Sequence, residues 1–224
     1  MQTLSFTEEN YMKIIYRASK LSSPGKTKEV TTNEIAELTD TKPASVSDML
    51  KKLAAKGLIN YVKYQGVTLT TDGEAKALLV IRKHRLWEVF LVDKLNFSWD
   101  EVHDIAEQLE HVQSDELVRR LDQFLGFPEY DPHGDPIPNE KGEMNSKKKV
   151  YLINMKIGDK CDVVGVKDTS PLFLKYLDKI GLTIGAYIEI TDKIEFDQSL
   201  EIKVNNGRTI IISKEIANNI YTLD

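Results

Sequence analysis

A single cysteine is too few for an internal disulfide or a multi-cysteine zinc site, and Cys161 falls inside an alternating apolar stretch that reads as a buried strand. No apolar run approaches the roughly 18 residues that a membrane span needs. The first residues, MQTLSFTEENYMK, lack the basic-then-apolar layout of a signal peptide. Together these absences set the expectation of a cytoplasmic protein without a membrane partner. Catalytic signatures are missing too. There is no His-Glu-x-x-His, no serine–histidine–aspartate spacing and no phosphate-cradling glycine loop. A carboxylate-bridged di-iron bundle needs Glu-x-x-His, but Gln108 stands three residues before His111 and Ile81 three before His84. The expectation is a chain that is not an enzyme and takes no small-molecule substrate.

With 224 residues, 41% of them hydrophobic and 29% charged, the chain has the composition of an ordinary globular protein with one large domain or several small ones. Its net charge of −5 is unevenly spread: +1 over residues 1–75, −7 over 76–145 and +1 over 146–224. Residues 42–63 hold five lysines against one acid, Asp48. A basic patch ahead of an acidic middle suits a nucleic-acid reader joined to a cation-binding module, although such a patch is equally compatible with plain solvated surface.

Periodicity divides the chain into three. Helical spacing places Tyr11, Ile14, Ile15 and Ala18 on one face of a helix over 7–18, which Ser22, Ser23, Pro24 and Gly25 break. Thr31-x-x-Glu34 forms a capping box for a short helix through Leu38. Asp40 or Thr41 is expected to cap a third helix with Pro43 in its first turn, the apolar stripe Val46, Met49, Leu50 and Leu53, and Gly57 as its stop. Leu58–Val62 and Val67–Thr70 alternate like two strands around a turn near Gln65-Gly66. Two short helices, a tight joint, a third helix and a hairpin spell a winged helix-turn-helix over 1–72. The third helix presents Lys42, Pro43, Ala44, Ser45, Ser47, Asp48, Lys51 and Lys52 away from its apolar stripe. Lysines there can neutralise phosphates, and small residues let the helix approach base edges. The same pattern also fits a three-helix unit that makes protein contacts only.

Thr71-x-x-Glu74 opens a long helix to about Leu95, a second runs from about Asp100 to Leu109 or beyond, and Ser114-Asp115 opens a third to Leu125. These make a helical domain over 73–140, closed by the proline- and glycine-rich loop Gly126–Pro138 and a polar linker over 139–149. From residue 150 the period turns to alternation. Cys161–Val166, Ala186–Ile190, Leu200–Val204 and Thr209–Ile212 read as short strands, Asn205-Asn206-Gly207 as a hairpin turn and Pro171–Ile180 as a helix closed by Gly181. This predicts a small SH3-like β-barrel over 150–224 in an otherwise mainly α protein.

Three of the four histidines lie in the long helix or the one after it, each within a turn of a carboxylate. His84 and Glu88 are i, i+4. His103, Glu107, Glu110 and His111 fall on one stripe about 100° wide if the helix continues that far, opposite Val102, Ile105, Leu109 and Val112. Any one such pair is compatible with a solvated helix face. Imidazole and carboxylate together are ligands for a divalent transition metal, and six candidates exceed one coordination shell, leaving room for two ions. His133, in the proline-rich loop, reads as structural or exposed.

The chain resembles the metal-dependent repressors of the diphtheria toxin repressor and manganese transport regulator family in their three-domain form, over nearly its full length. The resemblance rests on Thr7-Glu8-Glu9-Asn10-Tyr11 with Ile15-Tyr16, Arg82-Lys83-His84-Arg85-Leu86 with Glu88, Val102-His103-Asp104, Glu110-His111-Val112, Ser114-Asp115-Glu116 and Gly134-Asp135-Pro136-Ile137-Pro138. It implies a homodimer that binds a palindromic operator and represses metal-uptake genes. It also implies an ancillary metal site at His84, Glu88 and His103 and a primary site at Asn10, Glu107, Glu110 and His111. Iron-responsive members resemble this chain but carry methionine where Asn10 stands and cysteine where Glu107 stands. Manganese-responsive members carry glutamate at the latter and typically aspartate at the former. Glu107 therefore favours Mn²⁺, with Fe²⁺ as the alternative, and Asn10 departs from both patterns. Three-domain members also lend acidic or amide ligands from the last domain, and no residue here is assigned to that role.

Overall fold

A computed structural model describes residues 4–20, 28–62, 65–145 and 148–223. These divide into two compact units, each described by itself. One comprises Met1–His84 with Leu109–Gln113 and Pro138–Glu143; the other comprises Arg85–Gln108, Ser114–Ile137 and Met144–Asp224.

The first unit begins with α1 (Phe6–Lys20), which buries Tyr11, Met12, Ile15 and Tyr16 as the apolar spacing predicts. It also buries Glu8, Glu9 and Lys13, which the apolar pattern does not announce. The expected break at Ser22–Gly25 lies outside the described residues. Thr31 and Glu34 make the predicted reciprocal capping box of α2 (Thr32–Leu38). For α3 (Pro43–Ala55) the expected cap is corrected. Lys42 occupies the cap position without a side-chain bond, because Asp40 is in the left-handed region (φ 46°) and the Thr41 hydroxyl donates to the Thr39 carbonyl at 2.9 Å. Val46, Leu50 and Leu53 are fully buried, which leaves the polar side of α3 outward.

Strands β1 (Ile59–Val62) and β2 (Gly66–Leu69) form the antiparallel wing, and Val30 bridges Val67 at its base. The long helix α4 (Thr71–Leu95) starts one residue earlier than its sequence signal. The Thr70 hydroxyl, not Thr71, accepts the Gly73 N–H at 3.1 Å. A Cβ at Gly73 would lie 1.9 Å from the Leu58 carbonyl oxygen, so glycine is what lets this first turn press against the start of the wing.

In the second unit, α5 (Val102–Leu109) and α6 (Asp115–Phe124) follow, the latter capped by Ser114 as expected. Leu86, Val89, Leu121 and Ile137 form a small core there. The carboxy-terminal region is a six-stranded antiparallel sheet in the order β3-β8-β4-β5-β6-β7, with α7 (Pro171–Ile180) and the short α8 (Lys214–Ala217). Strands β4 (Lys160–Val166), β5 (Tyr187–Lys193), β6 (Leu200–Val204) and β7 (Thr209–Ile212) lie where alternation places them. Asn205 and Asn206 take positive φ (50° and 55°) in the β6–β7 turn. Strands β3 (Lys149–Tyr151) and β8 (Ile220–Leu223) are additions, paired with each other across the domain with no turn signal between them. Seventeen buried residues form this core, and one of them is Trp99, from the segment just ahead of α5. Its indole N–H donates to Asp178 on α7 at 3.0 Å, so the connection into α5 is pinned to the sheet region.

Within the first unit Glu8 is a buried anchor. Its carboxylate sits 2.7 Å from Lys56 and 3.3 Å from Lys52, tying α1 to the end of α3. Burial pushes its pKa up, but Lys56, the Ser5 amide and Lys52 outweigh this and hold it at about 2. A depressed carboxylate stabilises the fold above its unfolded pKa, and that contribution disappears as pH falls through the folded value. The expected outcome is that Glu8 contributes acid destabilisation between pH 4.5 and about 2, on the order of 2 kcal/mol, and that Glu8→Gln removes this share while other depressed carboxylates such as Glu34 keep theirs. Urea melts from pH 6 to pH 2 measure it, and an unchanged pH dependence in the variant contradicts it.

Candidate metal centre

Among the described residues, buried histidines and carboxylates gather in two places. The first lies within the unit that carries α3. Glu110 and His111 are 0% and 9% exposed. The single ligand stripe read from sequence does not hold here. Helix α5 ends at Leu109, and Glu110 and His111 sit in the turn that follows, where a count of 100° per residue no longer applies. Glu107 stays on α5 and is exposed.

Both Glu110 carboxylate oxygens accept from the Lys13 ammonium, at 2.7 and 2.9 Å, and one of them lies 2.6 Å from Nδ1 of His84. Burial pushes the Glu110 pKa up, but His84 and Lys13 reverse this and hold the carboxyl below its usual range. The His111 ring stacks on Phe6 (centroids 4.6 Å apart) and engages Glu9 Oε2 through Nδ1 at 2.6 Å. Its Nε2 faces Glu110 Oε1 at 3.7 Å. An imidazole oriented through one nitrogen by a carboxylate, with the other turned toward a second carboxylate, has the arrangement of a metal-ligating histidine and its supporting partner. Glu9, which the sequence reading did not single out, is that partner. Its other oxygen accepts from Gln113 at 2.9 Å, and Lys83 lies 3.7 Å away.

Asn10 is half-buried next to Glu9 on α1, and its Oδ1 lies in the interior without a hydrogen-bond partner among the described residues. An unpaired interior amide oxygen is costly unless something positive meets it. The donor set therefore fits a divalent cation. It offers one amide oxygen, a carboxylate and an imidazole, with no thiol.

The second gathering lies in the other unit. Glu88, Asp131 and His133 are all buried, and each offers a ligand atom within 4.8 Å of the others. His103, half-buried on α5, approaches Glu88 through Nδ1 at 3.4 Å. His84, one turn before Glu88 on α4, belongs by contact to the Glu110 group described above. His133 is 3% exposed, which corrects the exposed half of its reading as structural or exposed. Its Nε2 donates to the Trp99 carbonyl at 2.8 Å, fixing the ring so that Nδ1 faces Glu88 Oε2 at 3.7 Å. Burial lowers the His133 pKa, but Glu88 and Asp131 raise it to about 9. Asp131 is pushed up to about 6 by burial, Asp135 and Glu88, against the pull of Arg85 and His133. Two buried acids and one histidine, each offering a ligand atom, form a site that a divalent ion can occupy.

The loop reaches this position because residue 134 is a glycine. At φ +83° a Cβ there would lie 2.0 Å from the Val164 carbonyl oxygen on β4. The sequence reading missed Asp131 and His133 because the proline-rich loop has no periodicity to relate it to α4. Asp168 accepts the Ser170 N–H at 2.8 Å ahead of α7.

On α3 the nominated residues Lys42, Pro43, Ala44, Ser45, Asp48, Lys51 and Lys52 are exposed, and Ser47 is half-buried. The Ser47 hydroxyl donates back to the Pro43 carbonyl at 2.9 Å. Lys51 pairs with Asp48 at 2.9 Å, which raises the lysine pKa. No helix among the described residues is long and apolar enough to cross a membrane.

Residues 3–67 match the iron-dependent repressor N-terminal DNA-binding domain, 70–139 its metal-binding and dimerisation domain, and 150–222 the FeoA domain. A solved manganese-dependent transcriptional repressor in complex with manganese superposes with a TM-score of 0.83 at 34% identity, covering 97% of this chain and 99% of that one. The iron-dependent repressor IdeR of Mycobacterium leprae is 38% identical over 62% of this chain, an alignment that spans 58% of IdeR. The diphtheria toxin repressor of Corynebacterium glutamicum is 27% identical over 97% of this chain and 96% of its own length. With DNA-binding, metal-binding and dimerisation, and FeoA segments in that order, the chain belongs to the iron-dependent repressor family of metal-dependent transcriptional regulators.

Proposed function

We propose that this chain is a manganese-responsive transcriptional repressor that binds palindromic operator DNA as a homodimer and controls metal-ion homeostasis genes in the cytoplasm. It is not an enzyme and takes no small-molecule substrate. Three parts divide the work: a winged helix over 1–72, a metal-binding and dimerisation domain over 73–140, and an SH3-like domain over 150–224.

The observation that carries this reading is that the unit holding the recognition helix also holds Glu110 and His111, in contact with Lys13 and Glu9 of α1. Asn10 sits on that same helix with an unsatisfied oxygen. Ligation there by Asn10, Glu110 and His111, with Glu107 nearby in sequence, would hold α1 to the turn that follows α5. Two subunits so fixed hold their α3 helices at a set spacing, which a two-fold symmetric DNA site requires. The ion would take over part of the charge compensation that Lys13 and His84 give Glu110. A second ion would sit at Glu88 with His103, Asp131 and His133, and His84 lies one turn earlier on α4. Metal and operator then stabilise the same arrangement, so each raises the affinity of the other.

Manganese is favoured over iron because every nominated ligand is an oxygen or an imidazole nitrogen, and hard oxygen donors suit Mn²⁺. The iron reading draws its support from the name of the IdeR relative.

Operator affinity, measured by fluorescence anisotropy under anaerobic conditions against free Mn²⁺, Fe²⁺, Co²⁺ and Zn²⁺, tests the reading. Chelation should weaken specific binding while circular dichroism stays helical, because the cores are apolar and contain none of the ligands. Glu107→Cys should move the preference from Mn²⁺ toward the softer ions. Operator binding that ignores every metal would instead favour a winged helix used for protein contacts. An unaltered metal ranking in Glu107→Cys would remove residue 107 from the ligand set.

The docking face has its own test. Lys51→Ala should weaken binding to all sequences alike and reduce the slope of log K against log salt by about 1, as expected for one lost phosphate contact. Lys52→Ala should do the same and also loosen Glu8, lowering stability in the absence of DNA. Ser45→Ala should change sequence preference instead. Unchanged salt slopes in both lysine variants would mean that another face meets the DNA.

A further inference from the structure

Lys13 is 2% exposed, and its side chain is directed at an interior carboxylate rather than at solvent. Its Nζ lies 2.7 and 2.9 Å from the two oxygens of Glu110, a residue with no exposed surface. The groups facing this pair come from every neighbouring part of the unit: His84 of α4 at 2.6 Å from Glu110, His111 Nε2 at 3.7 Å, and on α1 itself Glu9 and Asn10. Lys83 of α4 approaches Glu9 rather than Glu110. Glu110 is therefore already compensated by a protein cation.

A carboxylate bound by an ammonium at both oxygens has few lone pairs left for a metal ion. Two cations on one buried carboxylate also repel each other strongly where water is excluded. Glu110 can accept one of them fully, not both.

We infer that Lys13 is a built-in competitor for the ion at Glu110, holding the recognition-domain helix α1 on that carboxylate in the metal-free protein and setting the ion concentration at which the site fills. The inference rests on the reading of Glu110 as a metal ligand. The residue that competes and the residue that offers an unsatisfied oxygen, Lys13 and Asn10, are three apart on one helix and so lie on neighbouring faces. Exchange of ammonium for ion therefore changes the anchor of α1 without unfolding it: Lys13 releases Glu110 as the Asn10 amide gains a cation. The ion's affinity is reduced by the stability of the pair it must break, and the Lys13 contacts at 2.7 and 2.9 Å are closer than the 3.7 Å between His133 and Glu88, so this site should fill after the one at Glu88.

The test is Mn²⁺ binding by calorimetry to the full-length protein, with Mn²⁺ alone as titrant. Lys13→Met should tighten the weaker of two binding steps by about tenfold or more and leave the stronger step unchanged. The same variant should melt at lower temperature than wild type in chelator, since Glu110 loses its cation, and regain more stability on adding Mn²⁺. Lys13→Arg keeps the competing charge and should bind Mn²⁺ like wild type. Wild-type protein supplies a readout that needs no variant: amine-reactive labelling followed by mass spectrometry should find Lys13 protected in chelator and labelled once the weaker step is saturated. An unchanged or weakened step in Lys13→Met, or Lys13 protected at all Mn²⁺ concentrations, overturns the competition. Glu110→Gln separates the two ideas. If that variant binds both ions as wild type does, the assignment of Glu110 as a ligand fails and the competition fails with it.

Discussion

A carboxylate without solvent contact must be met by positive charge, and two such carboxylates, Glu110 and Glu88, organise the rest of this structure. At Glu110 the compensation comes from Lys13 and His84, which brings α1 and α4 to one point. At Glu88 it comes from a protonated His133, held in place by the Trp99 carbonyl and by a loop that only a glycine at 134 can seat. Neither arrangement is an economical way to stabilise a fold. Breaking a buried ion pair costs several kcal/mol, whereas apolar residues of similar size would do as well or better. Such clusters make sense where a mobile cation is meant to replace the protein's own.

The helical framework was legible because it is written in periodicity. The stripe Val46, Leu50, Leu53 fixed the outward face of α3, and Thr31 with Glu34 marked the start of α2. The Asn205-Asn206-Gly207 turn placed β6 against β7. What could not be read came from contacts distant in sequence. Glu9 meets His111 across 102 residues and Lys13 meets Glu110 across 97. A buried lysine looks like surface in any composition count. The strands β3 and β8 pair the two ends of the carboxy-terminal domain, a contact that no local turn announces.

The expected ligand stripe rested on a helix that does not run as far as the stripe required. His103 and Glu107 do share α5, but the helix stops at Leu109 and the following turn redirects Glu110 and His111 into the unit of the recognition helix. A continuous stripe would confine all four side chains to one helix face, whereas the turn separates Glu110 and His111 from the rest. Trp99 adds a parallel link in the second unit. Its ring lies in the sheet's core while its carbonyl orients His133, so the chemistry of the Glu88 cluster and the packing of the last domain share one residue.

The central claim is that protein cations and metal ions compete for the same buried carboxylates. Anomalous diffraction at the manganese edge, from crystals of the full chain grown with Mn²⁺, tests it most directly. The account predicts one peak among Glu88, Asp131 and His133 and another against Glu110 and His111, with the Lys13 ammonium withdrawn from Glu110. Full manganese occupancy elsewhere, with Lys13 still paired to Glu110, would contradict it.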